Sequence, residues 1–288
     1  MFKTAVITDE ITQDFSHALE IAKKHGLDAV EVRSVYELGA FEWTDEAVDK
    51  MKSLSDQAGL PVCCVSSPFF KCEIDDAKEI ESQYESLRRC IGHAHKLGAK
   101  LIRGFTFWDK GGFEARLPEI VERFQKVIQI LQQEGMTMAL ESEPSVYAAN
   151  AAKLARILDA INSPYVKALW DPGNSIYDPS GEVPYPDGYG YIKDKLAHVH
   201  LKDAKVVEGK ATGTPISKGD VDLVGQFKAL IQDGYTGYVS LETHYRPAHH
   251  IAEELLAMPK GSAFSHGGLE ATEESLVLWR ELLSRIES

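Results

Sequence analysis

The chain has 288 residues, 44% of them hydrophobic and 26% charged, and its 31 basic against 44 acidic side chains leave a formal net charge of −13. This is a soluble globular composition, which excludes disordered and collagen-like chains. The acidic balance also disfavours a nucleic-acid partner, whose grip comes from clustered Lys and Arg on phosphates.

The opening MFKTAVITDE lacks the apolar core of a secretory signal, and no apolar run approaches the roughly 20 residues that span a bilayer, so no membrane partner and a cytoplasmic location are expected. Cys63, Cys64, Cys72 and Cys90 show no CxxC spacing and read as reduced core thiols.

Short β-rich apolar runs alternate with amphipathic stretches along the whole chain. The predicted strands are Thr4–Thr8, Ala29–Arg33, Pro61–Ser66, Lys100–Phe107, Thr137–Glu141, Val166–Asp171, Ala197–Leu201 and Tyr238–Glu242. The predicted helices are Ser16–His25, Asp45–Ala58, Lys78–Leu97, Phe113–Gln133, Ala151–Ile161, Val221–Asp233 and Thr272–Ile286, several followed by Gly as a stop signal. Eight units of about 36 residues, with no linker dividing them, predict one α/β domain over residues 1–288, a (β/α)8 TIM barrel. A doubly wound dinucleotide fold is disfavoured because the first strand and turn, Thr4–Gln13, contain no Gly. Three long connections, Asn174–Tyr191, Asp203–Asp220 and Tyr245–Gly268, follow strands six, seven and eight. In a barrel they open on the C-terminal face, where active sites lie.

Four potential ligands end four successive strands: Glu141 in ALESEP, Asp171 in LWDPGN, His200 in HVHLKD and Glu242 in VSLETH, at spacings of 30, 29 and 42. Side chains at matching ends of adjacent parallel strands converge above the barrel. Strand alternation turns His198, His200 and Lys202 inward, with Ser240, Glu242 and His244 on strand eight and Glu141 and Glu143 on strand five. Each ligand taken singly has a structural explanation: a turn for Asp171, pairing with Arg103 or Arg33 for Glu141, a core hydrogen bond for His200, a solvated rim for Glu242. Four inward polar groups at unit spacing point instead to a cation that offsets the cost of burying them. Three carboxylates and an imidazole suit one Mn²⁺ or Mg²⁺, with Co²⁺ or Zn²⁺ tolerated.

The succession ALE, LWDPGN, HVHLKD, KGDVD and SLET, with the opening TDEITQDF and VEVRS, resembles the xylose isomerase-like barrel superfamily of sugar isomerases and epimerases over essentially the whole chain. The resemblance implies a single metal held by Glu141, Asp171, His200 and Glu242, the two glutamates doubling as the acid/base pair, and it implies a homodimer or homotetramer. Two positions depart from the pattern. Asn174 stands where the epimerases and endonucleases often have His, and Val206 where the epimerases have Arg, which argues for one metal and against a tagatose-type epimerase.

The expected activity is isomerisation or epimerisation of a small sugar or polyhydroxy carbonyl compound through an enediolate, a step that needs fixed positive charge and a proton-transferring acid and base. Arg33, Arg103, Asn174, His198, Lys202 and Trp108 are the expected substrate-binding residues, with Phe105 and Phe69 completing an apolar wall; ion pairing, for instance with Glu31, is the alternative for the two arginines. A dehydratase or lyase using the same enolate chemistry is the main rival. An endonuclease or an inert sugar-binding barrel ranks below it.

Overall fold

The computed structural model describes residues 1–287. Eight strands, β1 (Lys3–Val6), β2 (Val30–Val32), β3 (Val62–Phe69), β4 (Leu101–Gly104), β5 (Thr137–Glu141), β6 (Val166–Trp170), β7 (Leu196–Leu201) and β8 (Tyr238–Leu241), form one sheet. Its order is β1-β8-β7-β6-β5-β4-β3-β2 and every pairing is parallel. The circle closes between β1 and β2 through a parallel bridge from Ile7 to Glu31 and through the Asp28 and Ala29 amides, which donate to Thr4 O at 2.9 and 3.2 Å. This is the expected (β/α)8 barrel.

The helices are α1 (Phe15–Lys24), α2 (Asp45–Ala58), α3 (Ala77–Leu97), α4 (Phe113–Glu134), α5 (Ala151–Ile161), α6 (Leu223–Gln232) and α7 (Gly268–Glu287). Side-chain oxygens of Asp14, Thr44, Asp76, Asn150 and Asp222 cap the first turns of α1, α2, α3, α5 and α6 by accepting from otherwise unpaired amides. At the other end, Gly59 and Gly98 stop α2 and α3 at φ 70° and 81°, a conformation that carries a Cβ penalty for other residues. Apolar side chains of strands and helices merge into a continuous core between sheet and helix ring. None of the helices among the described residues is long and apolar enough to cross a membrane. All four cysteines are free and buried.

Strand boundaries differ from expectation in an informative way. β1 ends at Val6, because Thr8–Glu10 winds into a 3-10 turn that carries Asp9 and Glu10 inward, both fully buried. β3 runs on to Phe69, and β4 stops at Gly104.

The three long connections gather over one end of the barrel. The first holds only short helical segments, Asn174–Tyr177 and Tyr189–Ile192 among them. The second folds into an antiparallel hairpin, Asp203–Val207 with Lys210–Thr214. The third is tied across the mouth, where Lys71 Nζ donates to Ala257 O at 2.6 Å and Gly261 N to Ser34 Oγ at 3.0 Å, and it is tied to itself, where Arg246 donates to Phe264 O at 2.8 Å and His266 O at 3.0 Å.

Candidate metal centre and active site

Barrel interiors are ordinarily filled by Val, Ile and Leu. Here the C-terminal end of the interior is polar. Glu141 closes β5, Asp171 directly follows β6, His200 lies near the end of β7, and Glu242 directly follows β8; they are 2%, 0%, 0% and 1% exposed. One ligand atom from each comes within 4.8 Å of all the others. His200 Nδ1 lies 3.6 Å from both Glu141 Oε1 and Glu242 Oε2, beyond hydrogen-bond reach, and has no hydrogen-bond partner. A buried imidazole nitrogen without a partner, facing two carboxylates and accompanied by a third, is a donor set that fits a divalent cation.

The surrounding cations are shared among these carboxylates. Lys202 Nζ lies 2.8 Å from Asp171 Oδ2 and 2.6 Å from Glu242 Oε2, and donates a well-directed hydrogen bond to Asn174 Oδ1 at 2.9 Å. Asn174 Nδ2 donates in turn to Glu141 Oε1 at 3.1 Å and Ser142 O at 3.0 Å. Arg103 Nη1 reaches Glu141 Oε2 at 3.1 Å. Arg33 binds Asp9, Glu10 Oε1 at 2.8 Å and Glu242 Oε1 at 2.5 Å.

Burial alone would raise every one of these carboxyls. For Glu141, Arg103 and His200 overcome it and bring the group down to about 2. For Asp171 burial wins over Lys202, with the charges of Glu242 and Glu141 adding to it, and the group is pushed up to about 7. The two groups thus shift in opposite directions, one having a guanidinium at hydrogen-bond distance and the other sharing an ammonium. Burial works against the charged form of Lys202, but Asp171, Glu242 and Glu141 hold it well above the usual lysine range.

A cavity of about 910 Å³ opens above the centre, with Glu141, Glu242, Asn174, Lys202 and Arg103 in its lining. Phe105 and Tyr177 add apolar wall, and the hairpin and the third connection form its outer rim. Gly213 of the hairpin lies so close to His244 that an added Cβ would sit 2.3 Å from His244 O. His244 itself has φ 39° and buries its ring against Glu10 and Glu242, at 3.3 and 3.4 Å.

Three residues expected at the substrate do not line this cavity. Arg33 is consumed by Asp9, Glu10 and Glu242 beneath the floor. His198 lies deeper in the barrel, hydrogen-bonded to Glu31 at 2.7 Å. Trp108 pairs its backbone with Val146, and Phe69 stacks on Phe70 with ring centroids 3.9 Å apart, so Phe105 alone of the three aromatics reaches the cavity. Val206 sits on the outer hairpin and is 54% exposed. Sequence reasoning did not single out Lys71, Tyr177, Asp9 or Glu10. The charges of Lys71, Asp9 and Glu10 were visible, but their inward direction depends on irregular backbone beyond β3 and β1, where strand alternation gives no guide.

A model of the xylose isomerase-like TIM barrel family matches residues 19–261, and the chain belongs to that family. It is similar to the L-ribulose-5-phosphate 3-epimerase UlaE of Escherichia coli (strain SMS-3-5 / SECEC), with 26% identity over 249 residues that cover 82% of this chain and 84% of that protein. In fold it is similar to D-allulose 3-epimerase from Methylomonas sp. in complex with D-allulose, with a TM-score of 0.73 and 16% identity over 97% of this chain and 96% of that one. It is likewise similar to the IOLI protein with a bound zinc atom, with a TM-score of 0.76 and 17% identity over 99% of each chain.

Proposed function

We propose that this protein is a divalent-metal-dependent isomerase or epimerase of a ketose, keto-sugar or related polyhydroxy carbonyl compound, with Mn²⁺ the preferred ion and the cytoplasm its location. The observation that carries the reading is the convergence of Glu141, Asp171, His200 and Glu242 within 4.8 Å of one another, with Glu141 and Glu242 lining a cavity large enough for a sugar. Its similarity to sugar epimerases supports the same class.

When bound, a divalent cation supplies fixed positive charge against the negative oxygens of an enediolate. The chain's own residues do the rest. Glu141 and Glu242, both in the cavity lining, are the acid/base pair: one removes the proton from the carbon beside the carbonyl, and a proton is returned to the neighbouring carbon on the same face in isomerisation or to the same carbon on the opposite face in epimerisation. Arg103 and Asn174 fix Glu141, and Arg33 fixes Glu242, so neither carboxylate is free to rotate away from the substrate carbon. Lys202 and Arg103 present positive charge toward substrate oxygens, Asn174 presents its amide, and Phe105 shields the apolar face of the sugar.

Incubation of the Mn²⁺-loaded protein with a panel of ketoses and inososes in D₂O tests this reading. The expected product is an isomer of the substrate with the same carbon skeleton and one exchanged deuterium; a product lighter by one water would make the enzyme a dehydratase instead.

A further inference from the structure

Below the four candidate ligands the barrel holds a carboxylate that the ligand set does not use. Glu31 is the central residue of β2, between Val30 and Val32, and is fully buried. Its Oε2 lies 2.7 Å from His198 Nε2 and its Oε1 3.1 Å from His200 Nε2, while the Ser66 hydroxyl donates to Oε1. Arg33, just past the end of β2, points instead to Asp9, Glu10 and Glu242. Glu31 is therefore held by the two imidazoles and one hydroxyl.

An ionised carboxylate only accepts hydrogen bonds, so the proton in each imidazole contact belongs to Nε2. The two rings stand nearly perpendicular, at 82° with centroids 5.4 Å apart, which lets both Nε2 atoms meet one carboxylate. For His200 this leaves Nδ1 facing Glu141 and Glu242 at 3.6 Å. A half-turn of the His200 ring would put carbon where Nδ1 now points and would also turn carbon toward Glu31 Oε1, so the Glu31 contact favours the ring orientation that presents Nδ1 to the centre.

We infer that Glu31 is a positioning residue of the metal centre: it accepts the Nε2 proton of His200, which fixes the ring's rotation and leaves Nδ1 to the cation, while His198 and Ser66 hold Glu31 in place. The inference rests on the metal-centre reading above. Its physical basis is that an imidazole ligand's second nitrogen, by the hydrogen bond it makes, decides which nitrogen is free to coordinate and how basic it is.

The test uses the full chain, Mn²⁺ as probe, and NMR of the metal-free protein. With 15N-labelled histidine, His200 should carry a proton on Nε2 in slow exchange with water; an unprotonated Nε2 overturns the inference. By calorimetry, Glu31→Leu should bind Mn²⁺ about 10–100-fold more weakly than wild type while keeping the wild-type circular dichroism spectrum. Glu31→Asp, which retains the carboxylate, should recover part of that loss. A folded Glu31→Leu protein with wild-type affinity overturns the inference and leaves the metal-centre reading intact, whereas a wild type that binds no Mn²⁺ removes that reading first. If Glu31→Leu does not fold, the Nε2 measurement on wild type and the affinity of Glu31→Asp decide the matter.

Discussion

Arg33 Nη1 lies 2.5 Å from Glu242 Oε1, and the same guanidinium also holds Asp9 and Glu10 at the closing seam of the barrel. One cation thus serves three buried carboxylates contributed by two ends of the chain. Arg33→Met should destabilise the protein by about 3–5 kcal/mol, because uncompensated buried charge costs more than the lost pair contributed. Urea denaturation of the metal-free variant checks this, and a loss under about 1 kcal/mol would mean that the carboxylates neutralise themselves by taking up protons.

Lys202 Nζ lies against Asp171 Oδ2 and Glu242 Oε2, two oxygens of the proposed ligand set. Lys202→Met should therefore have opposite effects on two measurements: the metal-free protein becomes less stable by urea denaturation, and Mn²⁺ binds more tightly by calorimetry. Weaker Mn²⁺ binding in this variant would show that Lys202 orders the ligands rather than competing for them.

Metal binding and folding are thermodynamically linked. Free Mn²⁺ at 100 times its dissociation constant should stabilise the protein by about 2.7 kcal/mol over an EDTA-treated sample. His200→Asn and Glu242→Gln should remain folded and lose this gain. Identical melting curves for wild type with Mn²⁺ and with EDTA would contradict the centre.

Gly213 brings the hairpin against His244 more closely than any side chain permits. Gly213→Ala should lift the hairpin from the cavity rim, so that trypsin cleaves at Lys205 or Lys210 several-fold faster while Mn²⁺ affinity stays at the wild-type value. Unchanged cleavage would mean that the backbone yields by bending elsewhere.

The four thiols give a pH dependence. Burial raises Cys63 and Cys64 well above their ordinary value of 9.0 and pushes Cys72 and Cys90 up to about 12. A group whose folded value lies above its unfolded one contributes its full stability below the unfolded value, and loses that contribution as pH rises toward the folded one. Stability should therefore fall as pH rises from about 9 toward 12. The slope should be shallower in Cys90→Ala, measured by urea denaturation at pH 8, 9 and 10, and native protein at pH 8 should react only slowly with a thiol reagent.

The barrel was legible because its signals are local. Strand alternation reads directly from the succession His198, Val199, His200, Leu201, Lys202, and helix stops read from single glycines such as Gly59 and Gly98. The convergence of Glu141, Asp171, His200 and Glu242 followed from their spacing once the fold was assumed. The partners of the inward charges were less legible. Glu31 and Arg33 fall on one face of the expected strand Ala29–Arg33 and read as neighbours, yet Arg33 lies just past the end of β2, and each binds a residue more than a hundred positions away, Glu31 to His198 and Arg33 to Glu242.

The sequence by itself determined the eight-unit barrel and the chemistry of the donor set, because periodicity and residue type are properties of short stretches. Only the tertiary structure decided which inward groups reach the cavity and which charge neutralises which. Those outcomes depend on the depth of each side chain within the barrel and on the distances between strands far apart in the chain. Arg33 and His198, expected at the substrate, became structural partners of Glu242 and Glu31 for that reason, since a buried charge takes whichever opposite charge the fold brings within hydrogen-bond reach.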